Sequence, residues 1–309
     1  MPPTRKVRGK RSTSVPSAKE SAGVVIPGPS DLNEPPSDFH KYVTCIFGEK
    51  GVGKSSLVAQ FPGHVVLQAE PRRRNLRIRQ FPLEPMTIKD IKKAAKGKDS
   101  YVTPWMVFQE FMEKSLSDRT VEGVAIDTID QVYNAAFAHH CWMLGIDNPN
   151  EMNDYGATWN LIKDDFTGTL NRFTAHEPEK GLVVTSHATF KEVESRDGGA
   201  AYDLLVPTCA KGAYDWIKQA CDFAFYYGYY QKQRALYLRG SDLIWASCGN
   251  SEYFNEPSGS PIEVLGMGSK PDEAYKHLMQ GFNNQASDLK SSSESAETSG
   301  KKRKRKVSK

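Results

Sequence analysis

The five cysteines (Cys45, Cys141, Cys209, Cys221 and Cys248) form no C-x-x-C pair and no ligand spacing with histidine. A disulfide framework and a zinc cluster are therefore not expected; reduced thiols are. His139-His140 is the one adjacent histidine pair. It lacks the i,i+4 partner of a helix-borne metal site. No apolar run approaches ~18 residues, and the amino terminus carries no signal-type apolar region, so a soluble, non-secreted protein without a membrane partner is expected. Internal repeats are missing too. Apolar residues make up only 39% of the chain, which implies that part of it does not pack into a core.

Acidic residues are absent from both ends. Of 41 Lys and Arg residues, six lie within 1–19 and seven within 301–309, and neither stretch holds an Asp or Glu. The remaining 28 face 37 acidic residues, so the formal charge of +4 hides basic ends on an acidic middle. Basic ends interact with nucleic acid or serve as an address. Residues 1–38 are rich in Pro, Ser and charge, and residues 286–309 in Ser, Glu and Lys; both read as disordered tails around one domain at 39–285. Lys301–Lys306 also has the form of a nuclear-import signal. A cytoplasmic protein is expected, in the host cytoplasm if phage-encoded, or a nuclear one in a eukaryotic host.

Within the domain, an apolar, β-branched run from Val43 to Phe47 ends at Gly48, and Gly48-x-x-x-x-Gly53-Lys54-Ser55 is a complete phosphate-loop pattern. Gly48, Gly51 and Gly53 free the backbone to wrap a polyphosphate. The amides of Glu49, Lys50, Val52 and Ser56 belong to the same cradle, which opens a helix whose dipole favours anions. Lys54 suits the β/γ-phosphates, and the Ser55 hydroxyl suits Mg²⁺. A glycine-rich turn without a ligand is the bland alternative; the complete motif after a strand argues against it. ATP and Mg²⁺ are the ligands expected.

Further along, His64–Glu70 reads as a strand ending in a carboxylate, and Arg72–Arg79 is a strongly basic stretch, either a solvated face or a phosphate-contacting surface. Thr87–Lys98 and Pro104–Leu116 read as helices. Val121–Asp127 reads as a buried strand that delivers Asp127 to the metal beside Ser55. Gln131–Leu144 and Tyr155–His176 read as helices, the second with Trp159, Ile162, Phe166, Leu170 and Phe173 on one core-facing stripe. Leu182–Thr185 is a strand ending at Ser186-His187, with a glycine-containing loop from Phe190 to Asp203 after it. A helix near 214–220, an aromatic strand over Asp222–Tyr230, a hairpin of Arg234–Arg239 with Leu243–Cys248, and a helix over Asp272–Phe282 complete the domain. The alternation predicts a mostly parallel α/β sheet with helices on both faces and ligands at the carboxyl ends of the strands. Gly48, Glu70, Asp127 and His187 all fall on that edge.

With Val-Leu-Gln-Ala-Glu70 and Asp127-Thr128, the sequence resembles the RecA-like branch of phosphate-loop ATPases. There the glutamate after the second strand is the general base, and a Ser or Thr follows the metal-binding Asp. Val-Val-Thr-Ser-His187 resembles the strand whose end carries the γ-phosphate sensor, with His in place of the usual Gln. Residues 40–285, with Asp154-Tyr155-Gly156 before the long helix and a hairpin before the last one, are similar to phage nucleotide-binding proteins of the single-strand-annealing recombinase class. The resemblance implies a RecA-like fold with a C-terminal β-hairpin and a DNA-stimulated ATPase that binds single-stranded DNA in recombination or repair. Catalytic roles for Lys54, Glu70 and His187, ring or filament assembly, and cooperation with a single-strand-binding protein would follow. Lys211 and Lys218 lie near where such proteins reach a neighbour's nucleotide, although a surface lysine is the simpler reading of each. Base stacking on Tyr226, Tyr227, Tyr229 or Tyr230 competes with core packing. The other readings are a helicase or helicase loader and a small-molecule phosphotransferase.

Overall fold

In the computed structural model, the described residues are 35–70, 78–98, 100–176, 180–194 and 200–290. The β-branched and aromatic runs become strands β1 (Val43–Gly48), β2 (His64–Gln68), β3 (Gln80–Pro82), β4 (Gly123–Asp127), β5 (Gly181–Val193), β6 (Tyr202–Pro207), β7 (Phe223–Tyr230), β8 (Gln233–Tyr237), β9 (Ser247–Cys248) and β10 (Val264–Gly266). Between them run helices α1 (Lys54–Val58), α2 (Ile88–Ala95), α3 (Pro104–Ser117), α4 (Ile129–Leu144), α5 (Ala157–His176), α6 (Lys211–Ala220) and α7 (Ala274–Phe282). The main sheet has the order β10-β8-β7-β1-β5-β4-β2-β3. Every neighbour from β7 to β3 is parallel, while β8 and β10 join antiparallel. This is the mixed α/β architecture with a mostly parallel sheet that the alternation predicted, and it is consistent with the RecA-like phosphate-loop fold that the resemblance implied.

Period-2 alternation sorts the strand residues between two cores. Cys45, Phe47, Leu67, Ile126 and Val184 face α3 to α6, whereas Ile46, Val66, Ala125, Val183 and Phe225 face α1 and α7. On the second face Phe39 is buried, its ring 5.4 Å from those of Phe223 and Phe282. The helices start where local chemistry allows. Thr87 and Asp90 form a capping box before α2, and Thr103 caps α3 ahead of Pro104. The Asp165 carboxylate then ties three helices together by accepting from Trp105 Nε1 (2.7 Å), Gln109 Nε2 (3.1 Å) and His140 Nε2 (2.9 Å).

Several expectations from sequence are corrected by long-range pairing. Strand β5 does not stop at His187 but continues to Val193 and pairs antiparallel with β6, from Ala188↔Pro207 to Val193↔Tyr202. Much of the expected loop is thus a two-stranded ribbon. The partner of β8 is β7, through a turn at Gln231-Lys232; Leu243–Cys248 contributes only β9, which also pairs with β7. Trp159 leaves the α5 stripe: it is partly exposed, sits against Phe137 and donates to Asn150. The four residues after it on that stripe are fully buried. Beyond Ala286, Asp288 is buried and accepts from the Glu263 amide at 2.6 Å, so packing continues past the compositional shift. Residues 1–34 and 291–309, which include most of both expected tails, lie outside the described residues.

One buried group makes stability depend on pH. His64 on β2 donates from Nδ1 to the Pro62 carbonyl (2.8 Å), while Nε2 packs on Gly123 without a partner. Burial, first, and His40, second in the same direction, hold its pKa down to about 4 against an ordinary 6.5. His139, half-buried beside His140, shifts the same way, also to about 4. A lowered histidine pKa means that the unfolded chain binds more protons between these values. The stability is therefore complete above pH 6.5 and falls as pH drops towards 4, by on the order of 3 kcal/mol for His64. Urea unfolding at pH 7 and pH 4.5 should show this loss, and His64→Phe should shrink the difference; an unchanged difference in the variant refutes the assignment.

Candidate active site

The sheet register brings the polar strand ends together. Gly48 on β1 is level with His187 on β5, and Gln68 on β2 with Asp127 on β4. Between Gly48 and α1 the chain turns through Gly51 (φ 88°) and Gly53 (φ 115°), a left-handed conformation in which glycine is strongly favoured. Val52 is buried in the core below, so only its backbone faces the loop. The Lys54 side chain folds back under the loop, its Nζ donating to the carbonyls of Gly48 (2.8 Å) and Glu49 (2.9 Å).

Beside the lysine, Ser55 Oγ donates to Asp127 Oδ2 at 2.5 Å, and Thr185 Oγ1 donates to Asp127 Oδ1 at 2.6 Å. All three are buried. In the first turn of α4, Asp130 accepts from Ser186 Oγ at 3.1 Å, and burial raises its carboxyl above the usual range. Glu70 follows β2, and its Oε1 lies 2.6 Å from His187 Nε2, both side chains being partly exposed. They open onto a cavity of about 640 Å³ lined also by Lys50, Lys54, Ser56 and Gln131.

Many of the residues expected from sequence thus converge: Lys50, Gly51, Gly53, Lys54, Ser56, Glu70 and His187 line one cavity, and the bonded pair of Ser55 and Asp127 is buried beside Lys54. Thr185 and Arg234 were not anticipated. Arg234 on β8 donates from Nε to the Val52 carbonyl (3.1 Å) and from Nη1 to the Ser269 carbonyl (2.6 Å), bracing the loop from the far side. Neither has a motif, since each acts across strands that are distant in sequence. Other candidates fall elsewhere. Arg79 bonds Asp118 and Thr120, ahead of β4, on the opposite edge of the sheet; Arg72–Arg74 and Arg77 lie outside the described residues. Lys218 pairs with Asp215 and covers Tyr214, while Lys211 is exposed at the start of α6; neither lines the cavity. Tyr226 and Tyr227 are core residues, and Tyr229 is exposed.

A parallel sheet with a phosphate loop at the end of β1, and β5 interposed before the Asp127 strand, defines a phosphate-loop nucleotide-dependent ATPase. A family model described as an AAA domain matches residues 40–247, about two thirds of the chain, and the protein belongs to that family. A comparison with curated proteins gives no match. Nucleotide binding, typically with Mg²⁺, follows from the family. The donor set fits that ion: a buried hydroxyl and a buried carboxylate are the hard oxygen ligands that Mg²⁺ takes. No helix among the described residues is long and apolar enough to cross a membrane.

Proposed function

We propose that the protein is a DNA-dependent ATPase that binds single-stranded DNA and acts in recombination or repair, by annealing or strand exchange, as a ring or filament of identical subunits. The observation that carries this reading is the place of His187. Its ring meets Glu70, and the same strand continues from it into the projecting β5–β6 ribbon, where Phe190 is exposed and Lys191 lies near the Tyr214 ring. A shift of the ribbon on DNA would move the partner of the carboxylate that activates water.

In this mechanism Lys54 exchanges its two carbonyl acceptors for oxygens of the β- and γ-phosphates. Ser55 and Asp127 would hold Mg²⁺, which would neutralise charge on those oxygens, and Thr185 keeps the Asp127 carboxylate oriented. Glu70 takes a proton from a water whose oxygen bonds to the γ-phosphorus as the bond to the β,γ-bridging oxygen breaks. His187 positions Glu70 and carries the state of the site to the ribbon.

Phosphate release from ATP, measured with and without single-stranded DNA, tests the proposal. DNA should stimulate turnover, and Lys54→Ala should abolish both basal and stimulated release. Turnover indifferent to DNA would overturn the DNA dependence. Processive unwinding of a duplex would reassign the protein to the helicases, and release that needs a small-molecule acceptor would reassign it to the phosphotransferases.

A further inference from the structure

The groups assigned to the terminal phosphate all lie on one side of the phosphate-loop strand. Glu70 follows β2, Asp127 ends β4 and His187 is on β5, whereas β7, β8 and β10 lie across β1 from them. A nucleoside triphosphate with its γ-phosphate at Glu70 and His187 therefore directs its other end towards β7 and β8. A second cavity, of about 490 Å³, is located there, lined by Tyr229, Lys232, Gln233, Arg234, Gly268 and Ser269. Its size falls within the range of small-molecule sites.

Arg234 joins this cavity to the loop. Its Nε holds the Val52 carbonyl and lies 3.9 Å from where a Gly53 Cβ would be, so the cavity borders the phosphate cradle directly. Along β7, Phe223, Phe225 and Tyr227 point to the α1/α7 face. Alternation puts Tyr229 on that face one step beyond Tyr227, the core residue that packs under Gly53. Tyr229 is also directly opposite Arg234 across the strand pair. Both residues line the cavity, and the exposed Tyr229 ring presents the flat, polarisable surface on which a purine stacks. The turn beside it holds Gln231 and Lys232 at φ 47° and 71°, the left-handed pair of a tight two-residue hairpin, which fixes the register of Tyr229 against Arg234.

We infer that this cavity takes the nucleoside half of the substrate, with Tyr229 as the platform for the base and Gly268–Ser269 as the opposite wall. The inference rests on the phosphate-loop reading of residues 48–56. Its test is calorimetric binding of ATP and of inorganic tripolyphosphate to the full chain. Tyr229→Ala should weaken ATP binding about tenfold and leave tripolyphosphate unchanged. Ser269→Trp, which fills the cavity from the other wall, should do the same. Unchanged ATP affinity in both variants, or equal weakening of both ligands, would overturn the assignment. A wild type that binds tripolyphosphate as tightly as ATP would overturn it too, with the phosphate loop intact, whereas one that binds neither would remove the phosphate-loop reading itself.

Discussion

Glu70→Gln should bind ATP within about twofold of the wild type and lose about 10²- to 10⁴-fold in turnover, the range that general-base catalysis contributes. The side chains are nearly isosteric, so the fold and the loop 48–56 are unaffected. What is lost is the proton acceptor, because an amide cannot take a proton from water at neutral pH. The contact with His187 Nε2, at 2.6 Å, leads to a companion result. His187→Ala removes the neighbour that holds the carboxylate and should lower turnover less than Glu70→Gln, while weakening the response to DNA more than basal turnover. Single-turnover hydrolysis alongside ATP binding separates these effects. Near-normal hydrolysis in Glu70→Gln would refute the base assignment, whatever His187→Ala does.

The second large effect is structural. Gly48 has an ordinary backbone conformation, yet a Cβ there would come within 2.0 Å of the Tyr227 carbonyl oxygen on β7. The obstacle is backbone in the middle of the sheet, paired with β1 over Thr44–Gly48, so it cannot rotate away. Gly48→Ala should therefore destabilise the domain by about 3 kcal/mol, the upper end of core overpacking. For a domain of this size that lowers Tm by roughly 6–12 °C. Gly51→Ala supplies the contrast: nothing lies within 4 Å of its Cβ position, but its φ of 88° is strained for alanine. Its effect should be smaller, about 1–3 kcal/mol, and confined to the loop. Thermal unfolding of the two variants would reveal the difference. Equal stability of Gly48→Ala and the wild type would mean that β1 and β7 separate more readily than their pairing implies.

The two glycines mark how far the sequence can be read. The spacing of Gly48, Gly53, Lys54 and Ser55 determined the phosphate loop by itself, because the conformation of such a loop depends on a handful of consecutive residues. The apolar runs leading to Glu70, Asp127 and His187 were equally legible, and with alternating helices they implied a parallel sheet whose carboxyl ends share one edge. That local reasoning placed the candidate site before any contact was known. It tied the glycine at 48 to wrapping the polyphosphate, however, and only the pairing of β7 with β1 shows that a neighbouring strand's backbone also requires it. Tertiary structure also decided that β5 runs on past His187 as a ribbon, that β8 turns back on β7, and that Thr185 and Arg234 brace the site. The physical reason is the same in each case. Strand register and cross-strand contacts join residues tens to hundreds of positions apart, and periodicity within one segment cannot specify its partner.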